Sequence, residues 1–337
     1  MSRQRPRRPA VQGFSLIELM ISLTIGLIIA GAAFAAYMGT SGASRTAEAQ
    51  GRMNEDAQAA LTILTQQLRM AGNNPDQANR VDNPVATLSS RHNPIYLPLP
   101  SYAGFALAPA SFTLSGFSIR GCDGQFSNIA TAARLDDLIC AAGAGTDAIA
   151  VSYEADRYNT VPTDTGLPSD CLGNALTAVT ATLPTVAGAA SANSAVTYAV
   201  ADNRFYIGLS SSIPSLYCKG NGASAPQVLV ENIEDLQLSY GAVSTATSAS
   251  TATVAGYLSA GEITTQADLA ALADDAARWA KVITVRVCVL VRSEALVVSD
   301  LASARYLKCD GTLETAPPDL RLRRAYSTTV VLRNRRL

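Results

Sequence analysis

The sequence predicts an α+β fold in which one long N-terminal helix lies across an antiparallel β-sheet head. Three observations carry this. First, about 25 residues from Phe14 to Met38 are mostly apolar, and Leu19 to Met38 hold no charge at all. Second, Met53, Ala57, Ala60, Leu61, Leu64, Leu68 and Ala71 recur at three- and four-residue steps, which makes one stripe of an amphipathic helix. Third, Ile283, Val285, Val287, Val289 and Val291 alternate with Thr284, Arg286, Cys288, Leu290 and Arg292, the two-residue period of a strand.

Residues 1–12 are polar and basic, with Arg3, Arg5, Arg7 and Arg8 and no acid. Pro6 and Pro9 discourage a helix there. Arginines upstream of an apolar run stay on the cytoplasmic side, so residues 1–13 read as a cytoplasmic leader. A secretory signal peptide fits poorly. The run is too long for its apolar region, and the small residue Gly13 precedes the run instead of following it. A plain signal-anchor helix is the simpler competing reading. The segment 14–38 is long enough to cross a ~30 Å hydrocarbon core at ~1.5 Å per residue. Glu18 stands inside its start. An ionised carboxylate in hydrocarbon is costly unless paired, so this residue calls for a named partner.

The helical pattern continues beyond the apolar run. Opposite the stripe stand Glu48, Arg52, Glu55, Gln58, Gln66 and Arg69. Gly72 is a candidate helix terminator, and Asn73-Asn74-Pro75 forbids continuation. The expectation is one helix over 14–73, with Gly26, Gly31, Gly39, Gly42 and Gly51 as places where it could bend. The head then occupies 74–337. Residues 74–121 read as an irregular excursion with short strands around Ser111–Ile119. Asp147–Tyr153, Arg204–Leu209 and Val228–Val230 read as strands. Residues 174–200 are weakly strand-like. Glu231–Leu236 is expected to make a helical turn leading into a strand, Leu236–Tyr240. Residues 241–256 form a Ser/Thr/Ala-rich tract expected to be an exposed loop. Asp268–Lys281 is expected to be helical. The strand 282–292 and the last strand, Ala325–Leu332, are expected at the centre of the sheet. Arg321, Arg323, Arg324, Arg333, Arg335 and Arg336 make a basic C-terminal region. Its ordinary reading is a charged sheet edge that discourages aggregation. The functional alternative is contact with an acidic partner or anionic headgroups.

Composition narrows the function. The chain has 337 residues and formal net charge −1, so no nucleic-acid partner is expected. Losing the four leader arginines from that −1 would leave about −5. The six cysteines, Cys122, Cys140, Cys171, Cys218, Cys288 and Cys309, all follow the apolar run, and none forms a CxxC pair. With His92 as the single histidine, a zinc site is poorly supplied and disulfides in an oxidising compartment fit better. Six cysteines allow many connectivities. The working expectation is sequential pairing, 122–140, 171–218 and 288–309, with buried free thiols as the competing state. No enzyme is expected. A triad would have to use His92, and the sequence contains no HExxH, P-loop or GxSxG. No cofactor or metal is expected, since the loop carboxylates lack the DxDxDG spacing of a calcium loop.

Gly13-Phe14-Ser15-Leu16-Ile17-Glu18-Leu19-Met20 resembles the class III signal sequence of type IV pilins and of type II secretion pseudopilins. Met53 to Gly72, ending Gln67-Leu68-Arg69-Met70-Ala71-Gly72, and also Val230 to Gly241, Trp279 to Ser293 and Arg324 to Asn334 resemble PilW-type minor pilins. The Val230 segment is also similar to J-type pseudopilins. Residues 74–220 and the tract 241–256 carry little resemblance. The likeness implies a pilin fold and cleavage by prepilin peptidase between Gly13 and Phe14. It implies N-methylation of the new Phe14 amine and an assembly role for Glu18, the counter-charge to that amine on a neighbouring subunit. It further implies residence in the inner membrane with a periplasmic head, then extraction by the assembly platform into a surface filament. The implied partners are other minor pilins, the major pilin and a pilus-tip adhesin, and the large head favours a place at or near the tip. Three alternatives remain at this point: a J-type pseudopilin of a type II secretion system, an anchored periplasmic enzyme, and an adhesive binding module.

Overall fold

The computed structural model describes residues 13–77, 92, 93, 95, 96, 116–143, 145–184, 193–222, 225–243 and 254–334. The leader arginines, the start of the expected strand at 111–115, most of the 241–256 tract, and Arg335 and Arg336 lie outside the described residues.

Helix α1 runs unbroken from Leu16 to Met70, 55 residues, or ~82 Å at ~1.5 Å per residue. None of its glycines interrupts it. Ala71 closes the helix and Gly72 follows at φ +78°, a left-handed conformation that a Cβ disfavours. Among the described residues the head holds two large antiparallel sheets. In the first, β1 (Ile119–Cys122), β2 (Ala148–Ala155), β4 (Asn193–Ser210), β5 (Ile213–Lys219) and β6 (Gln227–Glu231) pair in that order, and β3 (Val179–Pro184) pairs with β4. In the second, the order is β12 (Arg321–Val331), β9 (Val282–Leu296), β7 (Ile233–Val243) and β8 (Val254–Leu258). Three short helices, α2 (Ala260–Thr265), α3 (Ala267–Ala270) and α4 (Asp275–Trp279), precede β9. A small β10–β11 hairpin (Tyr306–Leu307, Leu313–Glu314) precedes β12. Both sheets and the second half of α1 share one apolar core.

β9 is central, as expected, because it pairs along both edges, with β12 on one side and β7 on the other. Val285, Val287, Val289 and Val291 are fully buried, and Cys288 and Leu290 on the opposite face are nearly so. β12, in contrast, is an edge strand and not a central one. It pairs with β9 alone, and its arginines suit an edge that must discourage further pairing. The helical turn expected at Glu231–Leu236 is absent. Asn232 adopts φ +61° between β6 and β7, and the pairing with β9 shifts register between Ile233 and Asp235. That bulge places Ile233 and Leu236 on one buried face, so a three-residue spacing arose from strand geometry. The single helix expected over 268–281 is divided. Asp274 caps α4 by accepting the N–H of Ala277 at 2.8 Å, and Arg278 donates to the Leu269 carbonyl at the end of α3. At 241–256, the described ends are strand: Val243 pairs with Val254 and Gly241 with Tyr257.

Candidate assembly interface

Each functional side chain of α1 takes its place from where it falls along the helix. Gly13 and Phe14 precede the first turn and are exposed, Phe14 at 85 %. Ser15 is the N-cap. Its hydroxyl accepts the Glu18 N–H at 3.2 Å, satisfying one of the donors that a helix start leaves free. Glu18 therefore sits in the first turn, where the helix dipole favours a carboxylate. The Ser-x-x-Glu spacing is a helix-start signal that sequence reasoning missed, and the helix expected from Phe14 starts two residues later.

From Leu16 to Met38 the large apolar side chains face outward, including Leu27 at 65 %, Ile28 at 71 % and Phe34 at 65 %. Among the described residues this is the one helix long and apolar enough to cross a membrane, and no residue of its most apolar window is buried.

The second half of the same helix is seated. Met53, Ala57, Ala60, Leu64 and Leu68 are at most 1 % exposed and Ala71 is fully buried. They lie with the valines of β9 and with Val330 and Leu332 of the β12 end in one core. Polar contacts fix the register of this seat. Tyr326 of β12 donates to Asn54 at 2.5 Å. Gln67 accepts from Asn203 at 2.8 Å and from Tyr153 at 3.2 Å. Asn334 donates to the Arg69 carbonyl at 2.8 Å, and the Gly72 N–H reaches Ser152 of β2 at 3.0 Å. Sequence reasoning missed the role of Gln67. A polar residue beside the apolar stripe was its sole signal.

Two further networks hold the head behind the helix. Buried Arg323 grips Glu234 with two nitrogens, at 2.6 and 2.9 Å, and Asp319 with a third at 2.7 Å. Burial works against the charged guanidinium, but these carboxylates more than offset it and hold its pKa above the ordinary arginine range. Asp147, just before β2, accepts the Leu238 N–H of β7 at 2.7 Å and the Gly124 N–H at 3.2 Å, so it ties one sheet to the other. Burial pushes its carboxyl up to about 7 against the two N–H donors. Tyr240 lies against Trp279, edge to face at 4.8 Å, and a Cβ at Gly121 would overlap its hydroxyl. Position 121 therefore admits glycine alone beside that ring.

Cys122 joins Cys140, Cys171 joins Cys218 and Cys288 joins Cys309. The last disulfide fastens the β10–β11 region to the outer face of β9. His92 is held by the Asn74 carbonyl and the Asp76 carboxylate, both at 2.7 Å. No group of three or more His, Cys, Asp or Glu residues that could hold a metal ion occurs among the described residues.

The comparisons with known proteins agree with this geometry. Residues 198–334 match the family described as Type IV Pilus-assembly protein W, and residues 8–34 match the prokaryotic N-terminal methylation motif. No curated protein and no solved structure matches the chain. The methylation motif spans the start of α1, and the PilW match runs from β4 through β12, covering every strand of the sheet on which α1 rests. Over these two stretches the chain is similar to a PilW-type pilin of type IV pili.

Proposed function

We propose that this chain is a minor pilin that helps to initiate and assemble a type IV pilus and sits at or near its tip. The reading is carried by one observation: α1 is a single helix whose apolar first half is wholly unburied while its second half is fixed in a head. Such a helix can be held by lipid first and by other helices afterwards. Prepilin peptidase cuts between Gly13 and Phe14 and methylates the Phe14 amine. In the filament that amine meets Glu18 of a neighbouring subunit. A contact of this head-to-tail kind does not close into a ring and so generates a filament. The leader stays cytoplasmic, the head is periplasmic, and both membrane and pilus hold the protein in turn. Its partners are the peptidase, the other minor pilins, the major pilin and the assembly platform. The head, of more than 260 residues, would crowd a shaft if repeated along it, which supports a tip position. Three disulfides suit an oxidising compartment. The PilW match does not favour the secretion-system alternative.

Deletion of the gene in a piliated strain tests the proposal. Surface pili and twitching motility are expected to be lost and to return with the intact gene. Normal piliation in the deletion strain would sink the reading.

A further inference from the structure

Where α1 leaves the head, a groove of about 570 Å³ opens between the helix and the end of β9. One wall is α1 from Arg45 to Asp56. The other is Glu294–Val297, closed off by the β6–β7 turn at Glu231 and Asn232. Its apolar part is Ala49, Met53 and Val297, with exposed Leu296 at the rim.

The charges in this groove do not balance. Arg52 is engaged twice, with Glu48 at 2.9 Å and Glu294 at 3.0 Å. Arg292 leans away toward Glu234 at 3.5 Å. Among the described residues, none of the 11 ion pairs includes Glu55, Asp56 or Glu231. Half-buried Asp56 is raised above its ordinary value by burial, and then by Glu55, Glu231 and Glu294, against a smaller opposing pull from Arg52. Negative charge that Arg52 offsets only in part, on a partly desolvated wall, favours a cationic occupant.

The form of that occupant follows from the helix. Arg45 and Arg52 are seven residues apart, as are Glu48 and Glu55, with Ala49 between them. Charges at heptad spacing beside small or apolar residues flank the seam between two parallel helices. The groove also opens directly onto the unburied run of α1. A second helix leaving the membrane in the same direction would lie along that run and enter the groove without turning.

We infer that the groove seats the N-terminal helix of a neighbouring pilin, with a basic side chain of that helix held between Asp56 and Glu231. The inference rests on the pilus-subunit reading and adds to it the place where the exposed helical interface ends against the head.

Photo-crosslinking with the full chain in piliated cells tests it. A benzophenone amino acid replaces Leu296 in the groove or, as a control, Leu209, which is 73 % exposed on β4. Leu296 is expected to crosslink to a peptide from the N-terminal helix of another pilin, and Leu209 is not. The double variant Asp56→Lys/Glu231→Lys should cut that crosslink about tenfold, the equivalent of a lost ion pair. The neutral pair Asp56→Asn/Glu231→Gln should weaken it in the same direction, which guards against a folding artefact of the lysines. Reversing the partner's basic residue to glutamate should restore the crosslink to the lysine variant. If the chain enters sheared pili but Leu296 captures nothing, or captures a C-terminal tail or another non-helical peptide, the inference fails and the subunit reading stands. If the chain is absent from pili under all conditions, both fail.

Discussion

The two halves of α1 face opposite problems. From Leu19 to Met38 the helix is uncharged and apolar on every side, and among the described residues nothing in its own chain covers it. From Met53 to Ala71 the apolar residues fall on one side, and the chain's own sheet covers that side almost completely. The first half therefore leaves apolar surface that its own head does not cover, and on the proposed reading lipid and then other helices cover it in turn. The second half is a permanent part of the head. Hydrophobicity spread around a helix and hydrophobicity confined to a stripe thus give one continuous helix two separate tasks.

The largest expected effect breaks the first half without touching the second. Glu18→Val should leave membrane insertion and leader cleavage intact but nearly abolish recovery of the chain in sheared pili. Removing one partner of a buried charge pair strands the other, at roughly 3–5 kcal/mol. Recovery equal to that of the native chain would refute the pairing role.

A pair of truncations sharpens the contrast. Leu64→Ala removes a side chain that is 1 % exposed and should destabilise the head by about 2–5 kcal/mol. Leu27→Ala, at a position 65 % exposed, should leave head stability unchanged while weakening assembly. Trp279, the single tryptophan and buried at 3 %, supplies the fluorescence signal for denaturant unfolding of the detergent-solubilised chain. Equal shifts for the two variants would erase the distinction between the halves.

The smallest effect asks how far the permanent packing extends beyond the helix. Asp147 is raised from 3.8 to about 7 in the folded head. Below pH 4 both folded and unfolded forms are protonated, so this group leaves stability untouched. Between about pH 4 and 7 the folded form alone keeps the proton, so stability falls as pH rises, by at most about 4 kcal/mol. Asp147→Asn should flatten that slope when unfolding midpoints are measured from pH 4 to 8. It should also lower the midpoint near pH 4, because an amide nitrogen cannot accept one of the two N–H groups at this site, and this deficit should shrink or reverse toward pH 8, where the native carboxylate carries its buried charge. An unchanged slope would show that Asp147 does not titrate in this range.

Fold and site were legible in the sequence to different depths. The stripe from Met53 to Ala71 and the alternation in β9 were read directly, because helix and strand periods are local properties of the chain. The edge position of β12 was not, since an alternating strand reads the same at the centre and at the rim of a sheet. Ile233 and Leu236 imitated a helical turn because a bulge shifts the strand by one residue, and a bulge is a property of two paired strands. Asp268–Lys281 looked like one helix because alanine favours helix everywhere. The cap at Asp274 and the guanidinium of Arg278 divide it.

What the sequence determined by itself is the N-terminal region: the cleavage-type motif at Gly13 and Phe14, the acid at Glu18, the apolar run and the stripe that follows it. These depend on residue type and spacing along a single helix. The tertiary structure alone decided which carboxylates meet which arginines, as in Glu234 with Arg323, and which buried groups bridge the two sheets, as Asp147 does. It also decided that Asp56 and Glu231 face one groove, although 175 residues separate them along the chain. Ion pairs, burial and grooves depend on distance in space, and sequence spacing carries that distance within a single element but not between elements.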